Sequence, residues 1–224
     1  FQTSSPVIIY PSSGTGAWEA CLMNLLVPGD KVLFYETGQF AKLWRSMADR
    51  LGIVTDILEG DWRSGVDANR IEDALKRDTG NAYKAVCCVH HETSCGITSD
   101  IKAVRDAISV TNHQALLLVD SISGLGSVEY KHDAWGADVT VSGSQKGLML
   151  PSGLGFNALS DKAIEVSKNI NGQRSYWAWD DMLRANADGF FPYTPATTLL
   201  YGLKEAIAML CLLYTSPSPR DRSI

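Results

Sequence analysis

The sequence predicts an α/β fold in which a mostly parallel sheet is sandwiched by helices. Short apolar or β-branched runs alternate along the chain with amphipathic helical stretches, as in β–α–β units. Two of these runs, "AVCCV" and "ALLLV", lack the polar alternation of half-exposed strands and are typical of buried central strands. The 224 residues are 45% hydrophobic and 20% charged, which is enough to bury a substantial core.

The predicted elements follow in chain order. The strands are "KVLFYE" (31–36), "IVTDIL" (53–58), "AVCCVHH" (85–91), "ALLLVDS" (115–121) and "VTVSGS" (139–144). Amphipathic spacing predicts helices over 15–27, 39–51, 67–77, 99–112 and 161–169, and a further helical pattern lies at "LKEAIAML" (203–210). The apolar, glycine-rich run behind Lys146 is expected to be a loop.

Composition excludes several classes of function. The net charge is −5 without a basic cluster, so we expect no nucleic-acid partner. No apolar run reaches the length of a membrane-spanning helix, so we expect no membrane role. The five cysteines lack the spacing of metal ligands, so we expect no metal site. Cys87 and Cys88 lie in the apolar run "AVCCV" and are expected to be buried free thiols, which indicates a reducing, cytoplasmic compartment.

A first candidate site follows Tyr10, where "PSSGTGAWEA" places hydroxyl residues and glycines before a helix. In open α/β sheets, ligands bind beyond the carboxyl ends of the strands. The amides of a helix N-terminus attract anions, so Ser13, Thr15 and the glycine backbone could hold a phosphate. A helix cap with a tight turn would explain the same residues without a ligand.

Two further candidates are Asp120 and Lys146. Asp120 ends a continuous apolar strand, so its carboxylate needs a positive or hydrogen-bonding partner, unless it only caps the next turn. Lys146 stands alone among small residues after another strand. Desolvation there would free its amine for carbonyl chemistry, whereas a loop lysine would extend its amine into solvent.

A phosphate cradle, a buried carboxylate and a reactive amine are together what pyridoxal 5′-phosphate requires. The cradle would hold the phosphate, Asp120 would pair with the protonated pyridine nitrogen, and Lys146 would form the Schiff-base link. The small residues around Lys146 would then leave space for the cofactor ring. The three sites therefore predict a pyridoxal phosphate enzyme.

Five segments carry a family resemblance. They are "SGTGAWEA" (13–20), "HETSCGI" (91–97), "LLLVDSISGLG" (116–126), "SGSQKGLMLPSGLGF" (142–156) and "PYTPATTLLYGL" (192–203). In these segments the sequence resembles the class V aminotransferases of pyridoxal phosphate fold type I, within the serine–glyoxylate and alanine–glyoxylate aminotransferase group. The resemblance implies that the chain is the large domain of that fold.

The resemblance also implies roles for single residues. The catalytic pair would be Lys146 and Asp120. The remaining cofactor-binding residues would be Ser13, Gly14, Thr15 and Gln145 at the phosphate, Thr93 near the phenolic oxygen, and Phe40 stacked on the ring.

Thr194, in "PYTP", matches a residue that reaches the phosphate site of the neighbouring subunit, which implies a homodimer. Some relatives carry tyrosine where this chain has Phe191, so a hydroxyl contact from that position is absent. Core packing would also explain Phe40, and a local turn would explain Thr194.

The implied reaction is a ping-pong transamination in which a small amino acid (serine, alanine or aspartate) and glyoxylate give an oxo acid and glycine. A cysteine desulfurase is an alternative, but such enzymes carry histidine where this chain has Gln145. A lyase or decarboxylase of the same fold and a catalytically silent, partner-binding relative are further alternatives. A NAD-binding oxidoreductase would fit the α/β pattern but would need a glycine fingerprint that the sequence lacks.

The ends of the sequence carry separate expectations. Residues 1–210 are expected to form the cofactor-binding large domain, without the N-terminal arm and the C-terminal small domain of the family. Residues 211–224 resemble a translated sequencing adapter, "CLLYTSPSPRD", and are expected to be a non-native tail. We therefore expect the natural enzyme to be active and this fragment to be impaired.

Overall fold

The computed structural model describes residues 1–215, with side chains through Leu212. The strands are β1 (Val7–Pro11), β2 (Lys31–Glu36), β3 (Val54–Glu59), β4 (Tyr83–Val89), β5 (His91–Glu92), β6 (Ile97–Thr98), β7 (Leu116–Asp120), β8 (Val139–Gly143) and β9 (Leu154–Leu159). The helices are α1 (Gly14–Leu25), α2 (Gln39–Arg50), α3 (Ala68–Arg77), α4 (Ile101–Val110), α5 (His132–Trp135), α6 (Asp161–Asn169), α7 (Trp179–Ala187) and α8 (Thr197–Thr215).

The central sheet has seven strands in the order β1-β9-β8-β7-β4-β2-β3. The pairs β2–β3, β2–β4, β4–β7 and β7–β8 are parallel, whereas β9 runs antiparallel to β8 and to β1. Strands β5 and β6 form a separate small hairpin. The prediction of a mostly parallel sheet is confirmed.

Helices cover both faces of the sheet, and each face has its own apolar core. Leu118 of β7 belongs to the core that contains Trp44 of α2, whereas its neighbour Leu117 belongs to the core that contains Ile71 of α3 and Ile101 of α4. Successive side chains of a strand point to opposite faces. A strand that is buried on both faces therefore reads as a continuous apolar run, which explains "ALLLV".

Side-chain caps fix where several helices begin. The side chains of Ser13, Asp67, Asp100 and Ser160 each accept a hydrogen bond from a backbone amide in the first turn of the helix that follows. A hydroxyl or carboxylate at this position satisfies an amide that has no partner within the helix. These caps match the predicted starts of α1, α3, α4 and α6 within two residues.

The expectation of a glycine-rich loop behind Lys146, up to residue 156, is wrong for residues 154–156, which begin β9 (Leu154–Leu159). Every residue of β9 is buried. Helix α1 packs directly on this strand, and a Cβ on Gly155 would lie 2.6 Å from the Ser13 carbonyl oxygen. The glycine therefore marks the close approach of a helix to a strand, which a single sequence does not distinguish from a glycine in a loop.

Helix α8 continues to Thr215 and so crosses the expected domain boundary at residue 210. The rest of the expected tail, residues 216–224, lies outside the described residues. Within the described part of the chain, none of the helices combines the length and the apolar character needed to cross a bilayer.

Candidate active site

The carboxyl ends of β4, β7 and β8 and the start of α1 surround one cavity of about 280 Å³. Its lining consists of Ser13, Gly14, Thr15, Trp18, Phe40, Val89, His91, Thr93, Asp120, Ile122, Ser123, Gln145 and Lys146. The structure thus brings together all of the predicted site residues except Thr194. They come from five separate parts of the sequence, and the topology of the sheet places them at one edge.

Asp120 lies at the buried end of the cavity and is only 3% exposed. Its carboxylate accepts hydrogen bonds from the Trp18 indole Nε1 at 3.0 Å and from the Ile122 backbone amide at 2.7 Å. Burial raises the pKa of the carboxyl from 3.8 to about 7; the two hydrogen bonds and the positive charge of Lys146 oppose this rise.

No lysine or arginine among the described side chains lies within salt-bridge distance of Asp120. A buried carboxylate without a cationic partner is energetically costly. Above neutral pH the cavity therefore holds a buried negative charge that a positively charged ligand would neutralise.

Lys146 follows β8 by three residues, in a turn that is pinned by the preceding hydroxyl. The Ser144 Oγ donates to the Pro151 carbonyl at 2.8 Å and accepts from the Leu154 amide at 3.1 Å. The Met149 amide donates to the carbonyl oxygen of Lys146 at 2.9 Å. The side chain of Lys146 is half-buried and lines the same cavity as Asp120.

The start of α1 forms the open, solvent-exposed end of the cavity. The Ser13 Oγ accepts a hydrogen bond from the Gly16 amide at 3.3 Å, so the capping interpretation of this motif is correct. The first amides of a helix have no partner within the helix and can also bind an anion. Ser13, Thr15 and Gln145 are exposed here, so the cap and a phosphate cradle are compatible.

The sides of the cavity carry a hydroxyl pair and an aromatic ring. Thr93 lies in the turn of the β5–β6 hairpin, and its Oγ1 is 2.5 Å from the Oγ of Ser123. Phe40 is the second residue of α2. Its ring lies 6.5 Å, centroid to centroid, from the ring of Trp18 and packs against the core, which confirms the core-packing interpretation. Stacking of Phe40 on a cofactor ring stays a prediction.

The remaining residue of the predicted set, Thr194, is exposed in the segment before α8 and does not line the cavity. Phe191 packs against the core that contains Trp44.

Five lining residues were not predicted from the sequence: Trp18, Val89, His91, Ile122 and Ser123. Trp18 lies four residues after Gly14 and so shares a face of α1 with the cradle, a spacing that could have identified it. Ser123 follows the carboxyl end of β7 closely, which is also a readable signal. The imidazole of His91 is fixed by Thr98, whose Oγ1 lies 2.7 Å from Nδ1.

Two curated relatives match most of this chain. The serine–glyoxylate aminotransferase of Hyphomicrobium methylovorum is 46% identical over 206 residues, which are 91% of this chain and 51% of the relative. The L-aspartate–glyoxylate aminotransferase of Paracoccus denitrificans is 42% identical over 204 residues, 91% of this chain and 52% of the relative. The chain thus spans about half the length of the curated relatives that it matches.

A solved structure shows a similar fold. The alanine–glyoxylate aminotransferase from Nostoc sp. superposes with a TM-score of 0.84 at 30% identity, over 93% of this chain and 55% of that one. The family model for class-V aminotransferases matches residues 1–215. The chain therefore belongs to the class-V aminotransferase family and has the fold of its pyridoxal phosphate-dependent enzymes.

Proposed function

We propose that this chain is the cofactor-binding part of a pyridoxal phosphate enzyme that transfers the amino group of a small amino acid to glyoxylate. The observation that carries the proposal is the cavity that Asp120 and Lys146 share. A buried carboxylate without a cationic partner and a half-buried amine face the same space, where a protonated pyridine nitrogen would supply the missing positive charge.

The donor set fits pyridoxal phosphate from end to end. Hydroxyls and helix amides at the open end suit a phosphate, and the carboxylate of Asp120 at the buried end suits a pyridinium nitrogen. The hydroxyls of Thr93 and Ser123 suit a phenolic oxygen, and the ring of Phe40 suits stacking. We therefore assign Ser13, Gly14, Thr15, Phe40, Thr93, Asp120, Gln145 and Lys146 to the cofactor.

When bound, pyridoxal phosphate supplies an electron sink for the electron pair released as the Cα–H bond of an amino acid breaks. Lys146 would hold the cofactor through its Nζ, and its amine would serve as the general base that takes the Cα proton. Asp120 would stay ionised beside the cationic nitrogen, because the opposite charge would offset the burial that raises its pKa. Trp18 and the Ile122 amide keep the carboxylate oriented.

The names of the relatives indicate glyoxylate as the amino acceptor and serine or aspartate as the donor. Transfer of the amino group converts glyoxylate to glycine and converts serine, alanine or aspartate to the corresponding 2-oxo acid. The two relatives use different donors, and their sequence identities to this chain, 46% and 42%, are too similar to favour either donor. We therefore propose only the class of donor, a small amino acid.

We further propose a homodimer in which Thr194 of one chain reaches the phosphate end of the other chain's cavity. That end is open, with Ser13, Thr15 and Gln145 exposed. Large apolar side chains are exposed around Thr194, including Phe190 at 71% and Tyr201 at 72%. Exposed apolar surface of this kind is typical of an interface.

Residues 1–210 are proposed as the cofactor-binding large domain.

The proposed compartment is the cytoplasm. Cys21, Cys87 and Cys88 are buried thiols without a disulfide. Burial raises the pKa of the Cys88 thiol to about 12, so it stays protonated and unreactive. Such thiols suit a reducing compartment.

The test follows the amino nitrogen. The chain is loaded with pyridoxal phosphate and given L-serine, L-alanine or L-aspartate labelled with ¹⁵N, together with glyoxylate, and ¹⁵N-glycine is measured by mass spectrometry. We expect labelled glycine from at least one donor, and a loss of at least about 100-fold in Lys146→Ala, since general-base catalysis alone contributes this much. Equal label in Lys146→Ala and the unsubstituted chain would contradict the proposal, because free pyridoxal phosphate also transfers amino groups slowly.

A further inference from the structure

Glu92 is a fully buried carboxylate that the proposed chemistry does not use. It ends strand β5, directly before Thr93, and it is 0% exposed. Its Oε1 accepts hydrogen bonds from the Phe40 amide at 3.3 Å, the Ser94 amide at 3.1 Å and the Ser94 Oγ at 2.7 Å. Its Oε2 accepts from the Ala41 amide at 3.2 Å.

These bonds make Glu92 a cap for α2 that is supplied from a distant part of the chain. The position before the helix is Gly38, which provides no side-chain cap. A Cβ on Gly38 would lie 2.5 Å from the Cγ of Glu92, so the glycine makes room for the carboxylate. The Ser94 Oγ extends the cap by accepting from the Gln39 amide at 3.0 Å.

The cap joins two elements that line the cavity. Phe40 belongs to the first turn of α2, and Thr93 follows Glu92 in the hairpin. Both residues line the cavity together with Lys146, whereas Glu92 does not. One buried carboxylate therefore fixes where the aromatic ring and the hydroxyl stand relative to each other.

The energetics favour a rigid arrangement. A buried carboxylate is costly unless hydrogen bonds compensate it, and here three backbone amides and one hydroxyl donate to it. The N-terminus of α2 adds a favourable dipole. A shift of α2 relative to the hairpin would break these hydrogen bonds and leave the buried charge unsatisfied. Glu92 therefore couples the position of α2 to that of the hairpin.

We infer that Glu92 is a positioning residue that holds Phe40 and Thr93 in place on two sides of the cofactor ring. This inference rests on the proposed function, since it takes pyridoxal phosphate as the cofactor. Glu92 acts through its neighbours and does not touch the ring.

The test uses Glu92→Gln, which keeps the shape but places an amide N–H against a backbone N–H. The matched control is Asp138→Asn, since Asp138 is also a buried carboxylate but pairs with Arg105 away from the cavity. Each protein is titrated with pyridoxal phosphate, and the visible circular dichroism per bound cofactor is recorded. Borohydride reduction and peptide mapping then locate the bound cofactor.

We expect Glu92→Gln to keep the adduct on Lys146, to bind the cofactor about tenfold more weakly, and to lose much of the dichroism. Binding must then also order Phe40 and Thr93, at a cost comparable to one charge-assisted hydrogen bond. Asp138→Asn lowers the melting temperature but keeps the dichroism per bound cofactor. A second variant, Ser94→Ala, removes one donor from Glu92 and shows a smaller change in the same direction, and it serves alone if Glu92→Gln does not fold.

Unchanged affinity and dichroism in a folded Glu92→Gln, or in Ser94→Ala if only that variant folds, would overturn the inference while leaving the proposed function intact. The same loss of dichroism in Asp138→Asn would also overturn it, because the effect would then come from stability in general. An unsubstituted chain without an adduct on Lys146 would overturn the proposed function, and this inference with it.

Discussion

Asp120 is a residue whose position suits the proposed chemistry but lowers the stability of the cofactor-free chain. Its carboxylate is buried at the end of β7 with two hydrogen bonds and no close cationic side chain among the described residues. The resulting rise of its pKa to about 7 means that the cofactor-free protein carries a costly charge above neutral pH. A bound cation in the cavity would remove that cost.

This environment predicts a pH dependence of stability. Because the folded-state pKa of about 7 exceeds the ordinary 3.8, the protonated form favours the folded chain, and this contribution is lost as the pH rises through 7. The contribution of Asp120 to this loss between pH 5 and pH 8 is about 2–3 kcal/mol, since one pKa unit corresponds to about 1.4 kcal/mol. Burial lowers the pKa of His90 to about 4, and His90 therefore acts in the opposite direction over the same range. Urea unfolding of the cofactor-free chain measures the loss, with Asp120→Asn as the uncharged control.

Asp120→Asn is expected to remove only the contribution of Asp120, so the difference in unfolding free energy between the two proteins should change by about 2–3 kcal/mol from pH 5 to pH 8, while the contribution of His90 cancels in that difference. Pyridoxal phosphate should stabilise the unsubstituted chain more at pH 8 than at pH 5, and it should stabilise Asp120→Asn less at both values. Parallel pH profiles for the unsubstituted chain and Asp120→Asn would show that the carboxyl does not titrate in this range.

At the scale of elements, the site depends on how closely α1 approaches the sheet. Gly155 of β9 faces the Ser13 carbonyl and the Ala17 Cβ, where an added methyl group would lie 2.6 Å and 3.1 Å away. The start of α1 is also the proposed phosphate cradle. The packing of helix on strand therefore sets the position of a binding site.

Gly155→Ala is accordingly expected to destabilise the chain by about 1–3 kcal/mol through overpacking and to weaken the binding of pyridoxal phosphate several-fold by displacing the cradle. Gly80→Ala is the matched control, since an added Cβ there meets no atom within 4 Å. Calorimetry and cofactor titration measure the two effects. Equal affinities for pyridoxal phosphate in the two variants would show that the packing of α1 on β9 does not determine the position of the cradle.

Reading the sequence was sufficient for elements that are determined by their own residues, without contacts to distant parts of the chain. The runs that lead to Asp120 and to Lys146 are buried strands, and their apolar continuity was a direct signal. The β9 strand was missed because Gly155 serves a contact with α1, which is distant in sequence. Glu92 went unnoticed for the same reason: its role depends on Phe40 and Ala41, which lie about fifty residues earlier.

At the scale of the whole molecule, the open end of the cavity and the apolar surface around α8 point to a second chain. Ser13, Thr15 and Gln145 are exposed at that end, and Thr194 lies elsewhere on the surface. A phosphate held only by these residues would be half in solvent. In the proposed dimer, Thr194 of the partner would complete the site.

Complementation between variants tests the dimer. Lys146→Ala cannot link the cofactor, and Thr194→Ala should bind it about fivefold more weakly, since one hydrogen bond is worth about 1 kcal/mol. In a mixed dimer, one site has the lysine of one chain and the threonine of the other. We expect refolded mixtures to regain high-affinity sites, measured by cofactor titration. Mixtures that behave as the sum of the two variants would argue against a shared site.

The most direct test of the central claim is borohydride reduction of the chain with pyridoxal phosphate, followed by peptide mass mapping. The shared cavity of Asp120 and Lys146 predicts one pyridoxyl adduct, on the peptide that contains Lys146. Adducts scattered over exposed lysines such as Lys76 and Lys102, with none on Lys146, would contradict it.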